Sequence, residues 1–323
     1  MSGPSEIFAP GLLSGQAALV TGGGTGLGKA TALELARCGA AVTIAGRRED
    51  VLAEAAAEIA ASVGGEVHTL VGDIRESGDA HALIAGAIEA AGRLDLLVNN
   101  AGGQFFSPAE LISSKGWRAV WRLNVEGMLN MAEAARELAF GGGAAGGGGG
   151  TDGGGGTDGA GARGTGGEAN AGGEAGARAE AVAGAGGSIV NVTLSPHHGM
   201  PGMAHSGAAR ATVEALTREL AERWQADRVT VSAIAVGTFD TEVMAKYPAS
   251  VRAGMSRSVP LQRTGTAAEH AWLVALLASP MGAAFNGSTV TLDGARDNWF
   301  GPWPPPGLTD EEGAVPVEER RSG

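Results

Sequence analysis

Eight consecutive residues, Thr21-Gly22-Gly23-Gly24-Thr25-Gly26-Leu27-Gly28, have types and spacing suited to holding phosphate. They follow a short apolar run and lead into an amphipathic one, so they read as the turn between a strand and a helix. In such a turn the first glycine allows a tight bend. The second lets the backbone approach a pyrophosphate, and the third lets helix and strand pack closely. Gly22, Gly26 and Gly28 fill those places, with Thr25 and Leu27 between them. The helix N-terminus then turns free N–H groups and a positive dipole end toward the phosphates. The chemistry implied is dinucleotide binding.

The next apolar run ends Ala45-Gly46-Arg47-Arg48. A carboxylate at Gly46 would accept hydrogen bonds from ribose hydroxyls, as NAD requires. Glycine stands there instead, and Arg47 and Arg48 can make charge-assisted hydrogen bonds to a 2′-phosphate. NADP(H) is therefore the expected cofactor. Asp73, before Ile74, closes a third run where its carboxylate could accept from the adenine amino group. A fourth run ends Asn99-Asn100-Ala101-Gly102. An asparagine there can bridge neighbouring strand backbones, while Ala101 and Gly102 keep the chain open beside the ribose. Farther on, Ser206 and Arg210 lie four residues apart, so both can look from one helical face into the same pocket.

Residues so scattered must be gathered by strand ends. Apolar runs at 17–21, 41–45, 67–71, 94–99, 188–192, 229–234 and 288–292 read as strands. Helical periodicity falls at 27–38, 51–62, 80–91, 117–140, 204–225 and 267–278. Their alternation is the βαβ signature of a parallel sheet, and the near-continuous apolar character of the runs implies burial on both faces. With right-handed crossovers this predicts an α/β fold, Rossmann-type and doubly wound, with a mainly seven-stranded parallel sheet. Its ligand crevice lies above the carboxyl ends of the strands.

The segment 141–187 is dominated by glycine and cannot bury enough apolar surface to offset its ordering entropy, so it reads as a disordered insertion. Residues 1–140 and 188–297 are then two parts of a single domain, followed by a proline-rich tail at 298–323 in which Trp299, Phe300 and Trp303 suggest partial packing. The insertion falls between a helix end and a strand start, at the amino edge of the sheet and remote from the crevice.

The net charge of −12 argues against nucleic acid as a partner. The single cysteine, Cys38, excludes an internal disulfide and fits a reducing compartment; within a helix it reads as a small buried hydrophobe. No secretory pattern or membrane-length apolar run is present, so a soluble, cytoplasmic protein is expected. The pair His197-His198 has no carboxylate at ligand spacing, so no metal site is expected. His205 should face away from Ser206, as an interface or loop contact.

Taken together, the Thr-Gly-x-x-x-Gly-x-Gly loop, Asn99-Asn100-Ala101-Gly102, Asn124 in Leu-Asn-Val-Glu-Gly, and Asp293-Gly294 resemble the short-chain dehydrogenase/reductase family over nearly all of the chain outside the glycine tract. More narrowly, the stretches Asn99–Phe105, Ser107–Glu110, Lys115–Trp117 and His205–Ala211 look like the peroxisomal trans-2-enoyl-CoA reductase branch, close to the 2,4-dienoyl-CoA reductases. The resemblance implies that Gly237 and Thr241 border the nicotinamide, that Asn124 is the active-site asparagine bending its helix and holding a water, and that segment 238–265 covers the substrate. It also implies a homo-oligomer, dimer or tetramer, paired through helices 117–140 and 204–225.

The family's usual helix carries tyrosine and lysine where this chain has Ser206 and Arg210, and its preceding serine falls on Thr193 or Leu194. Ketone reduction needs an acid for the developing alkoxide, which a serine hydroxyl does not supply unaided. Enoyl thioester reduction instead gathers charge on the thioester oxygen, where hydrogen-bond donors matter most. The expectation is thus an NADPH-dependent reductase of a trans-2-enoyl-CoA or related acyl thioester, with Thr193 and Ser206 as donors and Arg210 holding the ribose. Two alternatives stay open. One is a carbonyl reductase or alcohol dehydrogenase with a displaced acid, for which Tyr247, the sole tyrosine, is available. The other is a catalytically silent NADP(H)-binding scaffold or sensor. Arg252, Arg257 and Arg263 are candidates for meeting coenzyme A phosphates.

Overall fold

The computed structural model describes residues 3–141, 186–195, 202–242, 244 and 259–297. In chain order these form β1 (Ala17–Thr21), α1 (Gly26–Arg37), β2 (Ala41–Gly46), α2 (Glu49–Val63), β3 (Val67–Val71), α3 (Ser77–Ala91) and β4 (Leu96–Asn99). There follow α4 (Ser114–Trp121), α5 (Gly127–Leu138), β5 (Gly187–Leu194), α6 (Ala204–Arg223), β6 (Val229–Val236), β7 (Phe239–Asp240), β8 (Gly265–Thr266), α7 (Ala267–Ala278) and β9 (Thr289–Leu292). Seven strands make one parallel sheet in the order β3-β2-β1-β4-β5-β6-β9. The winding reverses between β1 and β4, which opens a crevice at their carboxyl ends.

Helices cover both faces. Leu83, Ile84, Met131 and Val213 fill one apolar layer, and Leu35, Ile59, Val190 and Val274 fill the other. The central strands β1 and β6 are buried almost throughout, as their unbroken apolar sequence requires. The two edge strands differ. β3 is buried only at Val67 and beyond it alternates half-buried and exposed positions, and β9 is only partly covered, because each has a neighbour on one side alone.

The helix expected over 117–140 is interrupted. Between α4 and α5, residues Arg122–Glu126 form a π-helical turn, closed by the Gly127 N–H donating to the Arg122 carbonyl. Asn124 causes the widening from inside: its Nδ2 donates to the Val120 carbonyl at 2.8 Å and to the Gly103 carbonyl at 2.9 Å. A side chain competing for the ladder is a common origin of such a turn. No helix among the described residues is long and apolar enough to cross a membrane. Cys38 is fully buried, and burial pushes its thiol up to about 11, which leaves it unreactive.

Candidate active site

A cleft of about 580 Å³ lies over the carboxyl ends of the strands. Its floor and one end are the residues expected to hold the cofactor: Gly22, Thr25, Gly26, Leu27, Gly28, Arg47, Arg48, Asp73, Ile74, Asn100, Ala101, Gly102, Arg210, Gly237 and Thr241 all line it. The floor is held by short ties from side chains to backbone. Asn100 Nδ2 donates to the Thr21 carbonyl at 2.9 Å, while Thr21 Oγ1 accepts from the N–H groups of Asn100 and Ala101 at 3.1 and 3.0 Å. Gly28 cannot be enlarged, since a Cβ there would stand 2.3 Å from the Gly22 carbonyl oxygen. The cradle thus presents glycine backbone to the cleft, as a pyrophosphate requires.

The arginines behave differently from one another. Arg47 and Arg48 are exposed and make no hydrogen bond or ion pair among the described residues, so their donors are available to an anion. Arg75, by contrast, grips Asp73 through two nitrogens, and this pairing, reinforced by Arg47, holds the Asp73 carboxyl below its usual range. The residues present therefore fit a phosphorylated dinucleotide. Arg263, a candidate for coenzyme A phosphates, is instead committed to Glu269, the residue that completes the capping box of α7.

Arg210 projects from α6 to the cleft wall. Its Nη1 donates to the Val192 carbonyl at 2.7 Å, and among the described residues its buried Nε has no partner and no carboxylate pairs with it. Burial pushes the guanidinium down to about 10, still far above neutrality, so the group remains cationic. Gly102 makes room for it: a Cβ at 102 would lie 2.5 Å from Arg210 Nη2.

The hydroxyls are placed otherwise than the sequence suggests. Ser206 is fully buried and does not line the cleft; its Oγ donates to Gln104 Oε1 at 2.9 Å. Thr193 does line the cleft, yet its Oγ1 donates to the buried Glu214 Oε1 at 2.9 Å. Leu194, the other candidate for the family serine, contributes only apolar surface. Asn124 also stays behind the wall. Its amide is spent on the backbone, accepting from the Gly103 N–H at 3.2 Å besides its two donations, so the side chain pins the 102–104 loop. His205 is a loop contact from the buried side, its ring tilted against Phe105 at 4.3 Å between centroids. Tyr247, Arg252, Arg257, His197, His198, residues 142–185 of the glycine tract and the tail lie outside the described residues.

Several cleft residues escaped the sequence reading. Gln104, Phe106, Leu123, Met203 and Met244 complete the end opposite the arginines, an apolar wall carrying one free amide. The signal available was the Gln104-Phe105-Phe106 run directly after the fourth strand motif, where aromatic side chains have no core to enter. The pairing of β7 with β8, Phe239 opposite Gly265 and Asp240 opposite Thr266, ties together the two ends of the segment expected to cover the substrate.

Fold and cleft together define a nucleotide-binding oxidoreductase scaffold whose second half differs from its first in being apolar. The family model described as short chain dehydrogenase matches residues 16–147, and the one described as Enoyl-(Acyl carrier protein) reductase matches 174–295. A probable 2,4-dienoyl-CoA reductase [(2E)-enoyl-CoA-producing] of Bacillus subtilis is 32% identical, over 90% of this chain and 98% of that one. A peroxisomal 2,4-dienoyl-CoA reductase [(3E)-enoyl-CoA-producing] of Arabidopsis thaliana is 31% identical over 89% and 86%. Among solved structures, the citronellol catabolism dehydrogenase of Pseudomonas aeruginosa PAO1 superposes with a TM-score of 0.69 at 35% identity, covering 90% of this chain and 98% of that one. The chain belongs to the short-chain dehydrogenase/reductase family and is an oxidoreductase of that family.

Proposed function

We propose that this protein is an NADPH-dependent reductase of an activated C=C bond, acting on a trans-2-enoyl-CoA or a related acyl thioester. The observation that carries this reading is Arg210, a half-buried cation at the cleft wall with no carboxylate partner among the described residues. Such a charge stabilises negative charge developing beside it far more than it would in water. Arg47 and Arg48, unpaired at the adenosine end, support the 2′-phosphate.

The bound cofactor supplies hydride to Cβ. The electron pair of the C=C bond then moves toward the thioester oxygen, where this chain offers Arg210 and the free NH₂ of Gln104 as stabilisers. The proton for Cα comes from water entering the cleft, since the Thr193 hydroxyl at its wall is committed to Glu214. No phenol or thiol is needed, which accords with serine and arginine at the family's tyrosine and lysine positions. The names of the curated relatives favour a second substrate of the same class, a 2,4-dienoyl-CoA, whose extra double bond passes charge to the same oxygen. We also expect a homo-oligomer, supported by the half-open Trp117 and Trp121 on α4.

The test is NADPH oxidation, followed by nicotinamide absorbance, on trans-2-enoyl-CoAs, 2,4-dienoyl-CoAs and a panel of ketones. Turnover on the thioesters alone is expected. Turnover on ketones alone would replace this reading by a carbonyl reductase with its acid elsewhere, and NADPH binding without turnover would point to a silent scaffold.

A further inference from the structure

We infer that Ser206 is a positioning residue, which acts by fixing the Gln104 amide so that its NH₂ faces the substrate oxygen, and that it does not meet the substrate itself. The inference rests on the thioester reading above and assigns the division of labour within that site.

Three observations carry it. Ser206 is wholly buried and absent from the cleft wall, whereas Gln104 is exposed on that wall. The hydroxyl donates to Gln104 Oε1 at 2.9 Å, and Gln104 Nε2 has no partner among the described residues. A primary amide has two chemically opposite ends of nearly equal shape, and only a neighbour's hydrogen bond decides which one faces a ligand. With Oε1 held by Ser206, the cleft meets two N–H donors. With the amide reversed it would meet a carbonyl oxygen, which repels a developing enolate.

The contact belongs to a clip of two short segments. Phe105 packs against His205 with the rings tilted and their centroids 4.3 Å apart, Trp117 closes edge-on at 6.0 Å, and the Ser107 N–H donates to the Gly202 carbonyl at 2.8 Å. Both ring nitrogens of His205 are buried without hydrogen-bond partners among the described residues, so the imidazole serves here as a packing surface for the aromatic rings. The adjacent residues thus lock loop to helix in register, and the serine–amide hydrogen bond is set by that register.

The experiment is a double-mutant cycle on Ser206→Ala and Gln104→Ala, read as kcat/KM on a trans-2-enoyl-CoA, with NADPH affinity measured by nicotinamide fluorescence. Removing one oxyanion donor costs on the order of 100-fold, so Gln104→Ala should lose about that much, and Ser206→Ala roughly tenfold. The double variant should be no worse than Gln104→Ala, Ser206→Thr should recover most of the loss, and NADPH affinity should stay level throughout. Losses that multiply in the double variant, to roughly 1,000-fold by that same scale, would overturn the inference, since Ser206 would then act on the substrate directly. The contact is also read without any substrate: Tm losses that are less than additive support it, and fully additive ones overturn it. This arm separates failure of the clip from failure of the thioester reading, which wild-type turnover alone decides.

Discussion

The two ends of the cleft are built by different means. The cofactor end is laid down largely by backbone: the Gly22–Gly28 turn and the ends of β1 and β4, with Asn100 holding the Thr21 carbonyl, are short motifs placed at successive strand ends. The substrate end is side chains met across the fold, Gln104 with Ser206 and Thr193 with Glu214. Backbone geometry tolerates few substitutions but needs only a short motif. Side-chain pairs can exchange partners while the same helix keeps its place, and this is how a family frame lodges serine and arginine where tyrosine and lysine usually stand.

The sharpest way to break the cofactor end alone is Gly28→Val. With no space for even one added carbon, the turn must open, and NADPH binding, measured by fluorescence titration, is expected to vanish while circular dichroism retains the helices. The counterpart, where the two ends meet, is Arg210→Met. Loss of the half-buried cation should lower kcat/KM by about 10² to 10³, with a much smaller change in NADPH affinity; equal losses in both would show that Arg210 belongs to the cofactor end only.

Acid should also act unequally. His270, buried between α7 and α1 with Nδ1 3.2 Å from Thr31 Oγ1, is pushed down to about 4 by burial. A folded-state value below the unfolded 6.5 means the unfolded chain binds the extra proton. Stability is therefore intact above about pH 6.5 and falls as pH drops toward 4, by up to roughly 3 kcal/mol. Urea unfolding at stepped pH measures this, and His270→Asn should flatten the slope. A finer cut within the cofactor end is Arg47→Ala with Arg48→Ala. The preference for NADPH over NADH should fall by about 10- to 100-fold, the worth of one or two charge-assisted hydrogen bonds, while kcat with saturating NADPH stays near wild type.

The same contrast explains what the sequence yielded. Every expected cofactor residue lines the cleft, because glycine spacing and strand ends are local signals. Ser206 and Thr193 were legible as polar groups on the right elements, yet their partners stand 102 and 21 residues away, and no periodicity reports a partner. Asn124 likewise sat inside a good helical pattern, and only the nearby Gly103 backbone shows why the helix widens there. Arg263 looked available until Glu269 was seen opposite it.

One junction has a practical consequence. The ring of Phe140, fully buried, lies over Gly187, whose N–H reaches the Arg228 carbonyl, so the chain is anchored immediately before and after the glycine tract. Replacing 142–185 by a linker of roughly six residues should leave activity unchanged and raise stability by at most about 2 kcal/mol, the closure entropy of the longer loop; a thermal melt would show it. What evolution has filled with glycine is in effect a splice port. A reporter domain or affinity handle could be grafted there, on the side of the sheet away from the chemistry, with the enzyme's own turnover left as the assay.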